Sequence, residues 1–332
     1  MPGIAVQYRT IAGAAGWRHV PERGYLQVAG RDRLSFLQAL VTNDVGSLQP
    51  GQGAYAAWLT PQGRMISDLR LHVRPETVLA GVPASGAAAL AVSLDRLIFS
   101  EDVTITDVSA RMTTIAVAGG EASSVLARAC SADTAALDRL VTWSHVDVDG
   151  GFIVRTDDTR LPCYELCLAV EHETDAAARL TAGGATQMSS ELSTALRIDA
   201  GRPLFGIDMD TETIPLEAGL LDRAISTSKG CYVGQEVIIR VLHRGGGRVA
   251  RRLVRINFDT AGPSGIAPGA TLISSGIEVG RITSSAPALD DSGAIALGYV
   301  RREIAEAGGE LQVREHLAGT GPVSGTIVGV VE

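Results

Sequence analysis

The clearest hydrophobic pattern in the chain is an alternation that follows a short turn near residue 60. Residues 53–73 contain a run of small and apolar positions, the turn TPQG at 60–63, and then a stretch in which apolar and polar residues alternate. Proline at the second place and glycine at the fourth suit a type I turn. The segment therefore predicts a β-hairpin.

The second strand of this hairpin has two chemically different faces. Its apolar side chains recur at odd-numbered positions, whereas Asp68, Arg70 and His72 share the other face because strand side chains alternate. Asp68 is therefore expected to point away from the core. Without further information, this polar face is predicted to be the solvated outer side of an antiparallel sheet.

Helices and strands alternate irregularly along the next part of the chain, which favours an α+β fold over a regular doubly wound sheet. A helix with a glycine stop at Gly201 is predicted over 190–200. The other predicted helices are 84–98 and 121–129, and the predicted strands are 103–108, 115–117, 152–156 and 164–170.

From Arg248 onwards the pattern changes to short strands separated by turn residues. The best candidates are 253–258, 271–274, 278–284 and 294–300. This spacing predicts a small antiparallel barrel or sandwich. Two units are therefore expected, 1–245 with two interleaved α+β subdomains and 246–332 with the β-rich unit, joined by a hinge at Gly245, Gly246 and Gly247.

Composition excludes several classes of protein. The 332 residues include 29 Lys and Arg against 37 Asp and Glu, a net charge of −8, which argues against nucleic acid as the main partner. No apolar stretch reaches the roughly 20 residues that span a bilayer, and no secretory signal precedes the fold, so a cytoplasmic protein without membrane contact is predicted. HExxH, P-loop, GxSxG and CxxC motifs are absent, and no resident metal is predicted.

The most informative segment is KGCYVGQE at 229–236. If a helix begins after Gly234, Cys231 lies just ahead of its positive end and beside the ammonium of Lys229, and both would favour the thiolate. The thiol would then act as a nucleophile or a soft metal ligand. The alternative is a buried, inert cysteine beside a loop, as expected for Cys163 and Cys167, which are read as small core residues.

Together with upstream motifs, this segment resembles the YgfZ-type folate-binding proteins, the cysteine-bearing relatives of the glycine-cleavage aminomethyltransferase GcvT. The motifs run in order over most of the chain, and more weakly into the β-rich unit. They are LSFLQ at 34–38, VTND at 41–44, LTPQG at 59–63, LDR at 94–96, RIDAG at 197–201 and IPLE at 214–217.

The resemblance implies three domains around a central opening that holds tetrahydrofolate. It places Asp68 where aminomethyltransferases carry the aspartate that assists transfer, and Asp199 where they carry the pterin-binding glutamate. Asp199 and Cys231 are expected to face this one cavity. Two departures are visible: Asp199 is one methylene shorter than glutamate, and the glycine-rich YTGEDGFE segment of the transferases is replaced by RLPCYE at 160–165.

The candidate site residues follow from the same resemblance. Cys231, Asp68 and Lys229 are the candidate catalytic residues. The candidate folate-binding residues are Asp199, Arg197, Tyr232, Gln235 and Arg248. Cations near the domain junction would suit the anionic glutamate tail of the folate, although they equally fit a solvated basic strand edge; they are His243, Arg244, Arg248, Arg251 and Arg252.

Three functions remain open at this stage. The first is maintenance or assembly of iron–sulfur clusters in client enzymes with Cys231 as the reactive thiol; because clusters are usually held by four thiolates, its cluster contact would be transient and shared with a partner protein. The second is a tetrahydrofolate-dependent aminomethyltransferase, which leaves Cys231 without a task. The third is a folate-binding scaffold without turnover.

Overall fold

The computed structural model describes residues 3–244, 246–259, 266–313 and 323–332. The strands in these ranges are β1 Ala15–His19, β2 Arg23–Ala29, β3 Gly53–Leu59, β4 Met65–Val73, β5 Thr77–Pro83, β6 Thr104–Asp107, β7 Met112–Ala118, β8 His145–Val148, β9 Gly151–Thr156, β10 Cys163–Ala169, β11 Ala185–Gln187, β12 Arg251–Phe258, β13 Thr271–Ser274, β14 Ile277–Pro287, β15 Ala294–Arg301, β16 Gly309–Val313 and β17 Val323–Val330.

Helices connect these strands and cover the sheets. They are α1 Ile4–Gly13, α2 Arg33–Leu40, α3 Ala87–Asp95, α4 Ala122–Cys130, α5 Thr134–Arg139, α6 Glu173–Ala182, α7 Ser190–Asp199, α8 Leu221–Ala224, α9 Gln235–Ile239 and α10 Arg302–Ala307. Across the described ranges, none of them has the length and apolar character needed to cross a bilayer.

The strands form two open sheets and a closed barrel. The first sheet has the order β3-β4-β5-β2-β6, the second has the order β11-β1-β7-β10-β9-β8, and the barrel closes as β12-β15-β14-β13-β16-β17. β1 precedes the first sheet in sequence yet pairs in the second, so the chain passes between the two sheets. The α+β prediction with a C-terminal antiparallel barrel is confirmed. The predicted hinge includes Gly245, which lies outside the described residues.

The hairpin forms as predicted, because its turn meets a specific backbone requirement. Gly63 adopts φ +75° and its N–H donates to the carbonyl of Thr60 at 2.9 Å. Glycine adopts this left-handed conformation without the clash that a Cβ would cause. β3 and β4 then pair with Tyr55 opposite Arg70 and Ala57 opposite Asp68.

The polar face of β4 is not solvated, contrary to the prediction. Asp68 is 6%, Arg70 5% and His72 1% exposed. The face is covered by the second sheet: Arg70 donates to Glu165 on β10 at 2.8 Å and to Asp158 at 2.6 Å. The alternation correctly assigned the two faces, but a strand pattern carries no information about what packs against a polar face.

A pair of histidines lies in the same interface between the sheets. His72 and His145 stand 5.8 Å apart edge to face, and each ring contacts Phe152. Burial, assisted by the positive charge of Arg74, lowers the pKa of His145 from 6.5 to about 4. Burial and the neighbouring His145 also lower the pKa of His72. The interface is therefore built around two neutral imidazoles.

This arrangement predicts an acid-labile interface. The unfolded chain protonates His145 near pH 6.5 and the folded chain only near pH 4, so the unfolded state binds more protons between these values. The contribution of His145 is fully present above pH 6.5 and is lost as the pH falls towards 4. The free energy of unfolding, measured with urea, should fall between pH 6.5 and pH 4 in both proteins. The fall should be about 2 kcal/mol smaller in the His145→Phe variant than in the wild type. Equal losses in both proteins would contradict this assignment.

Candidate functional site

A cavity lies where the two open sheets meet α7 and the loop that follows it. Its volume, measured as the space open to the centre of a water molecule, is about 90 Å³. The hairpin contributes Tyr55, Asp68 and Arg70, and α7 contributes Leu196 and Arg197.

Asp68 is held on the wall of this cavity by a single neighbour of the hairpin. Tyr55 Oη donates to Asp68 Oδ2 at 2.8 Å. Burial and the adjacent carboxylate of Asp68 raise the pKa of Tyr55, so its phenol stays protonated and remains a donor. A carboxylate can accept more hydrogen bonds than this one donor provides. Because Asp68 lines the cavity, it can accept further hydrogen bonds there.

Charged side chains line the cavity densely. The lining includes six arginines and four carboxylates, although the whole chain is acidic. The arginines are Arg18, Arg23, Arg70, Arg197, Arg202 and Arg223, and the carboxylates are Glu22, Asp68, Asp158 and Glu165. Two of these arginines are paired with aspartates that lie just outside the lining. Arg223 donates to Asp157 through Nε at 2.9 Å and Nη2 at 2.8 Å, and Arg197 donates to Asp208 at 2.7 Å.

One carboxylate oxygen in the cavity wall is left without a partner. Glu165 Oε1 accepts from Arg70, whereas Oε2 has no hydrogen-bond partner within the described part of the chain. Glu165 is only 3% exposed. A buried unpaired acceptor is costly, by roughly 1–3 kcal/mol or more for a charged group, so this oxygen favours a ligand that brings an N–H or O–H donor.

The two predicted folate-binding residues of α7, Arg197 and Asp199, lie in different surroundings. Arg197 lines the cavity, but its guanidinium is occupied by Asp208, which also accepts from Thr283 and Ser284 of the barrel at 2.6 Å each. Asp199 is not among the lining residues. Its carboxylate binds Arg160 Nε at 3.0 Å and its side chain is 33% exposed.

The KGCYVGQE segment is anchored elsewhere. Lys229 Nζ donates to three backbone carbonyls at the end of α2, those of Gln38 at 2.6 Å, Val41 at 2.7 Å and Asn43 at 2.9 Å. These contacts use all three ammonium protons, while partial burial lowers the pKa of Lys229 to about 8. The ammonium is therefore committed to the backbone, whereas the sequence predicted a partner for the thiol of Cys231.

The remaining residues of this segment also lie outside the cavity lining. α9 begins after Gly234 as expected, and Cys231 is exposed. Tyr232 is buried beneath Lys229, whose Nζ lies 5.1 Å from the ring centroid, and Gln235 is half-buried. Beyond them, Arg248 is exposed on the far side of the predicted hinge. Neither Asp199 nor Cys231 lines this cavity, and the expectation that the two face one common cavity stays a prediction.

Four of the cations predicted for a folate tail, His243, Arg248, Arg251 and Arg252, are also absent from the cavity lining, and the side chain of Arg244 lies outside the described part of the chain. Arg251 Nε is paired with Glu217 at 2.9 Å, and its guanidinium lies over the ring of Tyr299 at 4.6 Å. Arg252 donates weakly to the carbonyl of Gly247 at 3.5 Å. The arginines that do reach the cavity come from the two open sheets and from residues 197–223.

Sequence reasoning missed Tyr55, although a signal for it was present. In the predicted hairpin, pairing of position 57 with 68 places Tyr55 diagonal to Asp68 on the same face, within reach of a long aromatic side chain. For Asp158, Glu165 and Arg223 no comparable local signal exists. Asp158 and Glu165 reach Arg70, and Arg223 reaches the ring of Tyr55, only because the second sheet and α8 fold onto the hairpin.

Comparison with known proteins identifies the same architecture. Residues 1–229 match the GCVT N-terminal domain, and residues 251–328 match the glycine cleavage T-protein C-terminal barrel domain. The crystal structure of the glycine cleavage system aminomethyltransferase T from Bartonella henselae superposes with a TM-score of 0.84 at 21% identity, covering 98% of this chain and 88% of that one.

Curated relatives extend over the same length. An aminomethyltransferase of Rubrobacter xylanophilus is 30% identical over 314 residues, which cover 94% of this chain and 83% of the relative. A putative chloroplastic transferase of Arabidopsis thaliana is 29% identical over 304 residues, which cover 89% of this chain and 67% of the relative. With both of its domains matched in order, the chain belongs to the glycine cleavage T-protein (GcvT) family.

Proposed function

We propose that the cavity binds a reduced folate and that the protein is a tetrahydrofolate-dependent aminomethyltransferase-like enzyme. The observation that carries this proposal is the buried carboxylate of Asp68, fixed by Tyr55 on the wall of a cavity lined by arginines and carboxylates. Names of the relatives support the class of reaction, since several are aminomethyltransferases. Proteins of this family use tetrahydrofolate.

The donor set of the cavity fits a pterin. A pterin presents adjacent N–H groups, which suit carboxylate acceptors, and both Asp68 and the unpaired Oε2 of Glu165 offer such acceptors. The glutamate tail is anionic and suits guanidinium groups; Arg18 and Arg202 lie in the lining, where they are paired with Glu22 and Asp157. The cavity therefore provides acceptors and cations together, as a folate requires.

Tetrahydrofolate, when bound, accepts the one-carbon unit; the protein's task is to bind, orient and handle the proton. Asp68 would orient the amine and take or return its proton, a role worth roughly a hundredfold or more in rate. Tyr55 would hold the carboxylate in place, since its protonated phenol can only donate to it.

Folate binding can be tested by calorimetry with 5-formyl-tetrahydrofolate. Asp68→Asn should weaken binding about tenfold, because one charged acceptor is lost from a buried site. Asp199→Asn is the matched control: a second aspartate of the same family motifs, placed outside the cavity lining. A larger loss in Asp199→Asn than in Asp68→Asn would overturn the assignment of the cavity.

A second candidate function rests on the exposure of Cys231. Burial raises the pKa of Cys167 to about 12 and also that of Cys163, so these thiols remain protonated in the core. Cys231 is the exposed cysteine, in a loop anchored by Lys229. An accessible thiol in a fixed loop suits transient ligation of an iron–sulfur cluster shared with a client or assembly protein, as proposed for the YgfZ branch.

An assay of catalytic turnover distinguishes the aminomethyltransferase from the iron–sulfur candidate. An aminomethylated carrier protein offered together with tetrahydrofolate should yield methylene-tetrahydrofolate if the protein is a transferase. The rate should fall about a hundredfold in Asp68→Asn and stay unchanged in Cys231→Ser. Absence of product with a protein that binds folate would exclude the transferase.

The iron–sulfur candidate has its own test in cells that lack the native protein. If Cys231 is the working thiol, Cys231→Ser should leave client iron–sulfur enzymes at the activity of the deletion strain, although folate binding of the purified variant is unchanged. Cys130→Ser is the control, since this half-buried thiol lies on α4 in another part of the molecule. Full client activity with Cys231→Ser would remove this candidate.

A further inference from the structure

Trp143, a residue outside the cavity lining, has an unusual backbone. Its φ is +70°, in the left-handed region that bulky side chains rarely adopt. The conformation is held in place by neighbouring strands: Trp143 N–H donates to the carbonyl of Arg155 at 2.7 Å, and His145 N–H donates to the carbonyl of Gly51 at 2.8 Å. Such strain persists where the surroundings over-determine it, and it often marks functional sites.

Gly53 is the residue that allows β3 to approach this backbone. A Cβ at Gly53 would lie 2.7 Å from the carbonyl oxygen of Trp143 and 2.3 Å from that of Leu71. Both atoms belong to the backbone and cannot move aside cheaply. Glycine at position 53 therefore provides the space in which the second sheet places Trp143 against the hairpin.

The indole ring of Trp143 contacts both the ring of Tyr55 and the guanidinium of Arg70. Trp143 and Tyr55 stack with centroids 5.6 Å apart and an angle of 20° between the rings. The guanidinium of Arg70 lies 5.2 Å from the Trp143 ring, and that of Arg223 lies 5.0 Å from the Tyr55 ring. Trp143 therefore makes one aromatic and one cation–π contact, and the Tyr55 ring on which it stacks makes a further cation–π contact with Arg223.

Both guanidinium groups that contact these rings are fixed by carboxylates. Arg70 is bound by Asp158 and Glu165, and Arg223 is bound by both oxygens of Asp157. The Tyr55 ring thus contacts Trp143 and Arg223, and its hydroxyl donates to Asp68 Oδ2. Removal of Trp143 would open one face of Tyr55 and free the ring to move, although no atom of the cavity lining would be removed.

We propose that Trp143 is a positioning residue for Asp68, acting through the ring of Tyr55. The functional importance of this role rests on the proposed function, in which Asp68 contacts the folate. The structural part of the proposal stands by itself: an indole from the second sheet fixes the orientation of a carboxylate on the first sheet. Trp143 thereby makes the site dependent on the packing of one sheet against the other.

A double-mutant cycle measured by calorimetry with 5-formyl-tetrahydrofolate tests the functional part. Trp143→Leu should weaken binding about tenfold in the wild-type background, but less than about twofold in the Asp68→Asn background, because the contact it supports is already lost. Trp143→Phe should keep most of the affinity, since a phenyl ring can still stack on Tyr55. Equal losses in both backgrounds would show that Trp143 acts independently of Asp68 and would overturn the proposal.

A matched variant controls for loss of stability. Trp17 on β1 is buried to the same degree as Trp143, 6% against 7% exposed, and packs in the core of the second sheet. Trp17→Leu should lower the melting temperature comparably while its effect on folate binding is the same in both backgrounds. A Trp17→Leu effect that also disappears in Asp68→Asn would mean that coupling reflects general destabilisation, which would contradict the proposal.

The structural part is measured without folate. In protein labelled with ¹³C at aspartate side chains, the Asp68 carboxyl resonance is assigned by its disappearance in Asp68→Asn. It should shift in Trp143→Leu and remain in place in Trp17→Leu. An unmoved Asp68 signal in Trp143→Leu overturns the positioning role. If the signal shifts but wild-type protein binds no folate, the proposed function fails and the positioning role stands.

Discussion

Arg70 is the residue on which the contact between the two open sheets depends. Its guanidinium is buried, binds Asp158 and Glu165 of the second sheet, and lies over the ring of Trp143. A buried ion pair of this kind is held by geometry and hydrogen bonding, and removing one partner leaves an uncompensated charge that costs about 3–5 kcal/mol. The hairpin that carries Arg70 also carries Asp68, so the constraint that joins the sheets also places the candidate functional carboxylate.

The charged groups that line the cavity come from this contact between the two sheets. Two sheets that meet through their polar faces bring arginines and carboxylates together, and the space between them becomes a site with acceptors and cations in a largely buried setting. Polar groups in such a setting interact more strongly than in water, and unpaired ones such as Glu165 Oε2 favour a complementary ligand. The barrel contributes through Asp208, which ties α7 to β14 with a buried cluster of hydrogen bonds. Membership of the GcvT family agrees with this reading, since its members use tetrahydrofolate.

Local features of the fold were predictable from the sequence, whereas the composition of the site was only partly so. The turn at 60–63, the end of α7 at Gly201 and the strands of the barrel follow from residues close in sequence. The burial of Asp68 was not predictable from its strand, because the covering surface comes from a different sheet. Lys229 is a second example. Its proximity to Cys231 in sequence suggested that it would be a partner of the thiol, yet its ammonium donates to backbone carbonyls at the end of α2. Contacts between distant segments decide the site, and a single sequence does not reveal them.

The most direct measurement is a crystal structure of the protein with 5-formyl-tetrahydrofolate bound. We expect the pterin ring inside the cavity between the two open sheets, with its N–H groups on the carboxylate of Asp68 and the tyrosine hydroxyl still directed at that carboxylate. A pterin bound at Asp199 or beside Cys231, outside this cavity, would contradict the account.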